Sequence, residues 1–132
     1  MRLSDGQAQE DSKRMTMVAL QAFFNLSARW GLSVSEERIL LGSPPESTFY
    51  KWKSDKCASR LSRDVFERIS YILGIYKALN SLLPSVRAAD EWVRKQNTSP
   101  LFHGQSALDR MLAGSLVDLS DVRRYLDAQR GM

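Results

Sequence analysis

The chain has 132 residues, of which 43% are hydrophobic and 26% charged, a balance that permits one compact unit or two small modules with a real buried core. Its longest apolar stretches, such as 71 to 76, are interrupted well short of the roughly 20 residues needed to span a bilayer. Residues 1 to 13 are polar and carry Asp5, Glu10 and Asp11, unlike a secretory signal, so a cytoplasmic protein with no membrane partner is expected. The single cysteine, Cys57, excludes an intrachain disulfide and a sulfur-based metal site.

The formal net charge of +4 is concentrated in one place. Residues 1 to 50 hold five basic and six acidic side chains, and residues 64 to 132 hold nine and eight. Between them, Lys51, Lys53, Lys56, Arg60 and Arg63 face only Asp55. Such a patch attracts polyanions and releases their counter-ions, unless it is simply a solvated face.

Along the chain, residues 1 to 14 lack apolar periodicity and are expected to form a flexible arm. From Thr16, the residues Ala19, Phe23, Leu26 and Trp30 recur at helical spacing, and Gly31 ends that helix. Ser33 with Glu36 has the form of a capping box and opens a short helix that Gly42 closes. Ser43 is expected to cap the next helix, with Pro44 in its first position and Glu46 in its third, which leaves a turn of about three residues. That spacing belongs to a helix-turn-helix. In the second helix Phe49 and Trp52 fall on one face, to be buried, while Ser47, Thr48, Tyr50, Lys51 and Lys53 are left on the others.

Ser62 is a candidate N-cap for the longest helix, which runs to about Leu83 with Val65, Ile69, Ile72, Tyr76, Leu79 and Leu83 as its stripe. The stripe suits a core helix or a dimer seam equally well. Gly74 inside it marks a close helix contact or a kink, and Pro84 stops the helix. A further helix over 85 to 96 is expected to turn Val86, Ala89 and Val93 inward. After a loop at 97 to 100, Ser106 with Asp109 caps a short helix that Gly114 ends, and Asp118 is expected to start the last, with Leu119, Val122 and Leu126 inward. No segment alternates as a strand does, so the fold is expected to be all-α.

Catalytic chemistry finds no foothold. The one histidine, His103, lies in a loop, and neither a Ser/His/Asp nor a Cys/His assembly, a metal cluster or a Gly-rich phosphate loop has recognisable spacing. The reading is no enzyme, no catalytic residue, no metal and no cofactor. DNA binding fits better. Ser47, Thr48, Tyr50, Lys51, Lys53, Lys56 and Arg60 are the candidate contacts: lysine and arginine to phosphates, Thr48 to a thymine methyl, Lys51 to guanine. Glu46 either accepts from cytosine or caps its helix, the latter being favoured. One helix-turn-helix buries too little surface for tight specific binding, so a homodimer or larger assembly on an inverted repeat is expected.

The segments S-T-F-Y-K-W-K at 47 to 53 and L-S-R-D-V-F-E-R-I-S-Y-I-L-G-I-Y-K-A-L at 61 to 79 resemble the recognition and central helices of Xre-type antitoxins. P-L-F-H-G-Q-S-A-L-D-R-M-L-A-G at 100 to 114, followed by D-L-S-D-V-R-R-Y-L-D-A, resembles the toxin-binding domain of Xre/MbcA/ParS-type antitoxins of RES-domain toxin–antitoxin systems. The family usually has a glycine where His103 stands and a basic residue where Gln105 stands.

The resemblance implies an Xre-like helix-turn-helix region at 15 to 83, also a possible dimerisation region, followed by a small helical toxin-binding domain at 84 to 132. It implies an antitoxin that occludes the active site of a RES-domain toxin, one that consumes NAD or transfers ADP-ribosyl groups from it. It further implies that the antitoxin acts as a transcription repressor of its own operon, binding operator DNA as a homodimer within a larger toxin–antitoxin complex. Arg123, Arg124, Tyr125 and Arg130 of the last helix are then the candidate toxin contacts. Periodicity alone would pair these arginines with Asp121 and Asp127 on a solvated face. A stand-alone Xre-like repressor whose C-terminal module dimerises or binds a ligand is the alternative, and an enzyme of unknown type the weaker third.

Overall fold

A computed structural model describes residues 5–55 and 60–131. They form α1 (Asp5–Trp30), α2 (Val34–Leu40), α3 (Glu46–Asp55), α4 (Arg63–Leu82), α5 (Val86–Trp92), a 3-10 turn (Pro100–Phe102), α6 (Ala107–Met111) and α7 (Leu116–Gln129). Extended pairing among the described residues is limited to one isolated bridge between Gln96 and Ser106, so the chain is all-α. None of these helices is long and apolar enough to cross a membrane. Lys56 and Cys57 lie outside the described residues.

The apolar face of α1 buries Leu20, Phe23, Leu26 and Trp30, as the spacing predicts. The helix begins earlier than expected, however, and residues 5 to 14 are its first turns rather than an arm. Helix propagation onto an anchored segment is easy for Gln, Ala, Glu, Lys and Arg, and it needs no apolar stripe to announce it. At the other end Gly31 adopts φ 63°, and the Leu32 N–H donates to the Ser27 carbonyl at 3.0 Å, the six-to-one bond of a Schellman ending.

The capping box of α2 is the expected one, with the Glu36 N–H donating to Ser33 Oγ at 3.1 Å and the Ser33 N–H to Glu36 Oε1 at 2.9 Å. The start of α3 differs from expectation. Ser43 sits in the left-handed region at φ 55° beside Gly42 at φ 89° and does not cap; α3 begins at Glu46, with the Pro45 carbonyl accepting from the Phe49 N–H at 2.9 Å. Pro44 precedes another proline and is thereby disfavoured in the α region. The turn from 41 to 45 is accordingly longer than three residues.

Helix α4 runs through the middle of the molecule, against α1 on one side and most extensively against α7 on the other. Val65, Ile69, Ile72 and Leu79 are all buried in one core shared by both halves of the chain, so the stripe that suited a dimer seam is internal packing. Gly74 is where α7 comes close: a Cβ there would run into the Arg123 guanidinium. The expected close contact is thus present, made by the flexible guanidinium end of Arg123.

Helix α5 stops at Trp92, short of 96, because the chain turns back so that the Leu108 N–H reaches the Val93 carbonyl at 2.8 Å. Ala89 and Val93 are buried as expected, but Val86, the first residue of the helix, is 50% exposed. Ser106 and Asp109 form the expected box on α6. For α7 the cap is Ser115, and Asp118, expected as the start, is its third residue, completing another box.

Candidate functional site

Two surfaces carry the residues singled out in the sequence. On the first, the buried side of α3 is set by Phe49, whose ring meets Phe24 of α1 edge-on at 6.1 Å, and by Trp52. This leaves Ser47, Tyr50 and Lys51 exposed, with Thr48 half-buried beside them. Among the described residues Lys51 forms no ion pair. The turn leading into α3 is held by Arg38, whose Nη2 donates to the Pro44 carbonyl at 3.1 Å. Gly42 in the same turn holds φ 89° and lies against Arg68 and Asp64 of α4, where a Cβ would meet the Arg68 side chain at 3.0 Å. Arg60 is exposed beyond the end of α3, next to Lys13 and Ser12 of α1.

Lys53 differs from its neighbours. Its Nζ lies 2.6 Å from Glu37 Oε1, and Glu37, only 3% exposed, also accepts from Ser27 Oγ at 2.6 Å. The ammonium stands 6.0 Å from the ring centres of both Phe24 and Phe49. One carboxylate on α2 thus links α1 and α3. Sequence reading passed over Glu37 because its partners are 10 and 16 residues away, beyond any helical periodicity.

The second surface is α7 and what lies under it. Arg123 Nε bonds Asp127 Oδ2 at 3.1 Å while its guanidinium lies across Gly74. Arg130 approaches the same Asp127 at 3.8 Å, and Arg124 Nη2 donates to Asp121 Oδ1 at 3.2 Å. The partners that spacing alone suggested are thus the ones formed. Arg124 nevertheless keeps 76% of its side chain exposed, against 36% for Arg123. Tyr125 is half-buried and meets Phe102 edge-on at 5.1 Å, with Trp92 behind that ring at 6.0 Å. Beside it, Leu79, Leu82, Leu83, Trp92 and Leu126 line a groove of about 260 Å³.

Two arginines that sequence reading did not select hold this half together. Arg110 donates to Asp121 Oδ2 at 2.9 Å and to the Leu101 carbonyl at 3.4 Å, and pairs with Asp118 at 3.0 Å, fastening α6 and the 3-10 turn to α7. Arg94 reaches the front half, where it donates to the Trp30 carbonyl at 3.1 Å, the Gly31 carbonyl at 2.8 Å and Glu36 Oε1 at 3.1 Å. Burial pushes the Glu36 carboxyl up, but the Ser33 N–H and the Arg94 guanidinium together outweigh it and hold the group below its ordinary value.

A helical turn presenting a polar, cationic face, joined through one core to a compact helical module, has counterparts among known families. Residues 9–74 match the antitoxin Xre-like helix-turn-helix domain, and residues 78–131 match the antitoxin Xre/MbcA/ParS C-terminal toxin-binding domain. The chain belongs to this family of antitoxins. It is 50% identical over 121 residues to a protein of Sinorhizobium fredii (strain NBRC 101917 / NGR234) named "Uncharacterized protein y4oB", an alignment covering 92% of this chain and 90% of that one. No solved structure matches it.

Proposed function

We propose that the protein is the antitoxin of a type II toxin–antitoxin system, which neutralises a RES-domain toxin in the cytoplasm by covering its active site and represses its own operon by binding operator DNA. The observation that carries this reading is the adjacency in one chain of the two matched domains, one ending at residue 74 and the other beginning at 78. The toxin acts on NAD, by hydrolysis or by ADP-ribosyl transfer, and the antitoxin contributes no chemistry of its own.

On the DNA side, Ser47, Thr48, Tyr50 and Lys51 meet the major groove, and Lys56 and Arg60 lie along the flanking backbone. On the toxin side, Arg124 is the cation freest to leave its aspartate, because an exposed ion pair is worth only about 0 to 1 kcal/mol. Tyr125 supplies a rigid contact area beside it, and Arg123 and Arg130 flank the pair. In this reading the DNA-bound form is a homodimer. With the α4 stripe occupied by the chain's own core, an apolar surface open to a second copy is the strip of Met15 and Val18, 58% and 64% exposed, beside Phe66 and Leu73.

Co-expression with the product of the adjacent gene tests the reading. The two proteins are expected to copurify, and the antitoxin to restore growth that the partner alone arrests, with Arg124→Glu weakening both effects. A chain that binds its own upstream DNA yet neither copurifies with nor rescues growth from that product would be a stand-alone repressor instead.

A further inference from the structure

We propose that Lys53, although it belongs to the basic patch, is a positioning residue for the DNA-reading helix, serving as the internal counter-ion of Glu37 rather than as a contact to phosphate. The inference rests on the DNA-binding reading above. On α3, Ser47, Tyr50, Lys51 and Ser54 recur at three- and four-residue steps and are all exposed. Lys53 is one turn beyond Phe49, on the buried side, and its side chain is 39% exposed. Its ammonium is shared between the Glu37 carboxylate at 2.6 Å and two aromatic rings at 6.0 Å.

Drawing Lys53 out to a phosphate would leave the Glu37 charge, 3% exposed, with the Ser27 hydroxyl as its one side-chain partner among the described residues. A buried carboxylate stripped of its counter-ion is strongly disfavoured. The pair therefore stays closed when DNA arrives. Because Glu37 belongs to α2 and Ser27 to α1, the closed pair fixes the rotation of α3 about its axis, and with it the direction in which Ser47, Tyr50 and Lys51 point.

Phosphate contact and positioning give opposite signs. If Lys53 met a phosphate, Glu37→Gln would remove a nearby negative charge and tighten DNA binding. If the pair positions α3, the same change weakens binding.

The test uses the full-length chain and a 30-base-pair duplex taken from upstream of its own gene, titrated over a salt series. The variants are Glu37→Gln, Lys53→Met, their combination and Arg60→Ala, each first melted by circular dichroism so that binding is measured well below its transition. The combined variant buries no lone charge and retains a folded comparison if either single change does not.

Glu37→Gln and Lys53→Met are each expected to weaken binding by about five-fold or more, and the combination to be no weaker than the worse of the two, as coupled partners behave. Lys53→Met should leave the slope of log affinity against log salt unchanged, whereas Arg60→Ala lowers it by about 0.9, the loss of one phosphate. A slope reduced by Lys53→Met, tighter binding by Glu37→Gln, or strictly additive effects overturns the positioning role and leaves the DNA-binding reading standing. A wild-type chain that does not bind the duplex overturns that reading, and the positioning role with it.

Discussion

Glu36 serves two structures at once: its Oε1 completes the cap of α2 by accepting from the Ser33 N–H and also receives Arg94 Nη2 at 3.1 Å. Since its carboxyl sits below the ordinary glutamate value in the folded chain, its contribution to stability is present at neutral pH and lost as the pH falls through that lowered value. The advantage of the wild-type chain over Glu36→Gln should hold steady from neutral to mildly acidic pH. It should then shrink as the carboxyl takes up its proton. Melting both proteins across that range checks this, and an advantage that never narrows would mean the ionised form is not what matters.

At the scale of single elements, helix punctuation was the most readable part of the sequence. Boxes at Ser33 with Glu36 and Ser106 with Asp109 form where the spacing placed them. The same Ser-x-x-Asp spacing at Ser115 and Asp118 was missed because Asp118 can itself cap, and only the helix's first residue distinguishes the two. Replacing Ser115 by Ala should therefore cost about 1 kcal/mol. Ser43→Gly should be neutral or stabilising by up to about 1 kcal/mol, since Ser43 holds φ 55° and caps nothing. Urea unfolding of the two variants measures both, and a loss at Ser43 equal to that at Ser115 would restore Ser43 as a cap.

The polar face of α3 was equally legible, because burial of Phe49 and Trp52 dictates which neighbours face out. Lys53 was not, nor was the seat of Arg123 across Gly74. In both cases the deciding partner is on another helix, and charge type or local spacing carries no trace of it.

Taken as a whole, the molecule has one core rather than two. The family matches change over between residues 74 and 78, inside α4, and that helix buries Ile72, Ile75, Ala78 and Leu79 across the junction. Removing everything after residue 97 takes away Leu119, Val122 and Leu126 together with the rest of α7, the element packed most extensively on α4. We expect such a fragment to lose the single cooperative melting transition of the intact chain, with exposed apolar surface registered by dye binding. A fragment that melts as sharply and as high as the full-length protein would establish two independent folding units. If the fragment does unfold, loss of toxin neutralisation by truncation says little about contacts, and an exposed substitution such as Arg124→Glu is the cleaner probe.

Arg94 gives this unity a direction. From the rear half it holds the Trp30 and Gly31 carbonyls at the end of α1 and the Glu36 carboxylate that completes the cap of α2, so the hinge one would expect between two modules is bolted at the point where the helix-turn-helix begins. A partner that tugs on the rear of the molecule is mechanically in touch with the front, and the protein behaves less like beads on a thread than like a short lever with one rivet.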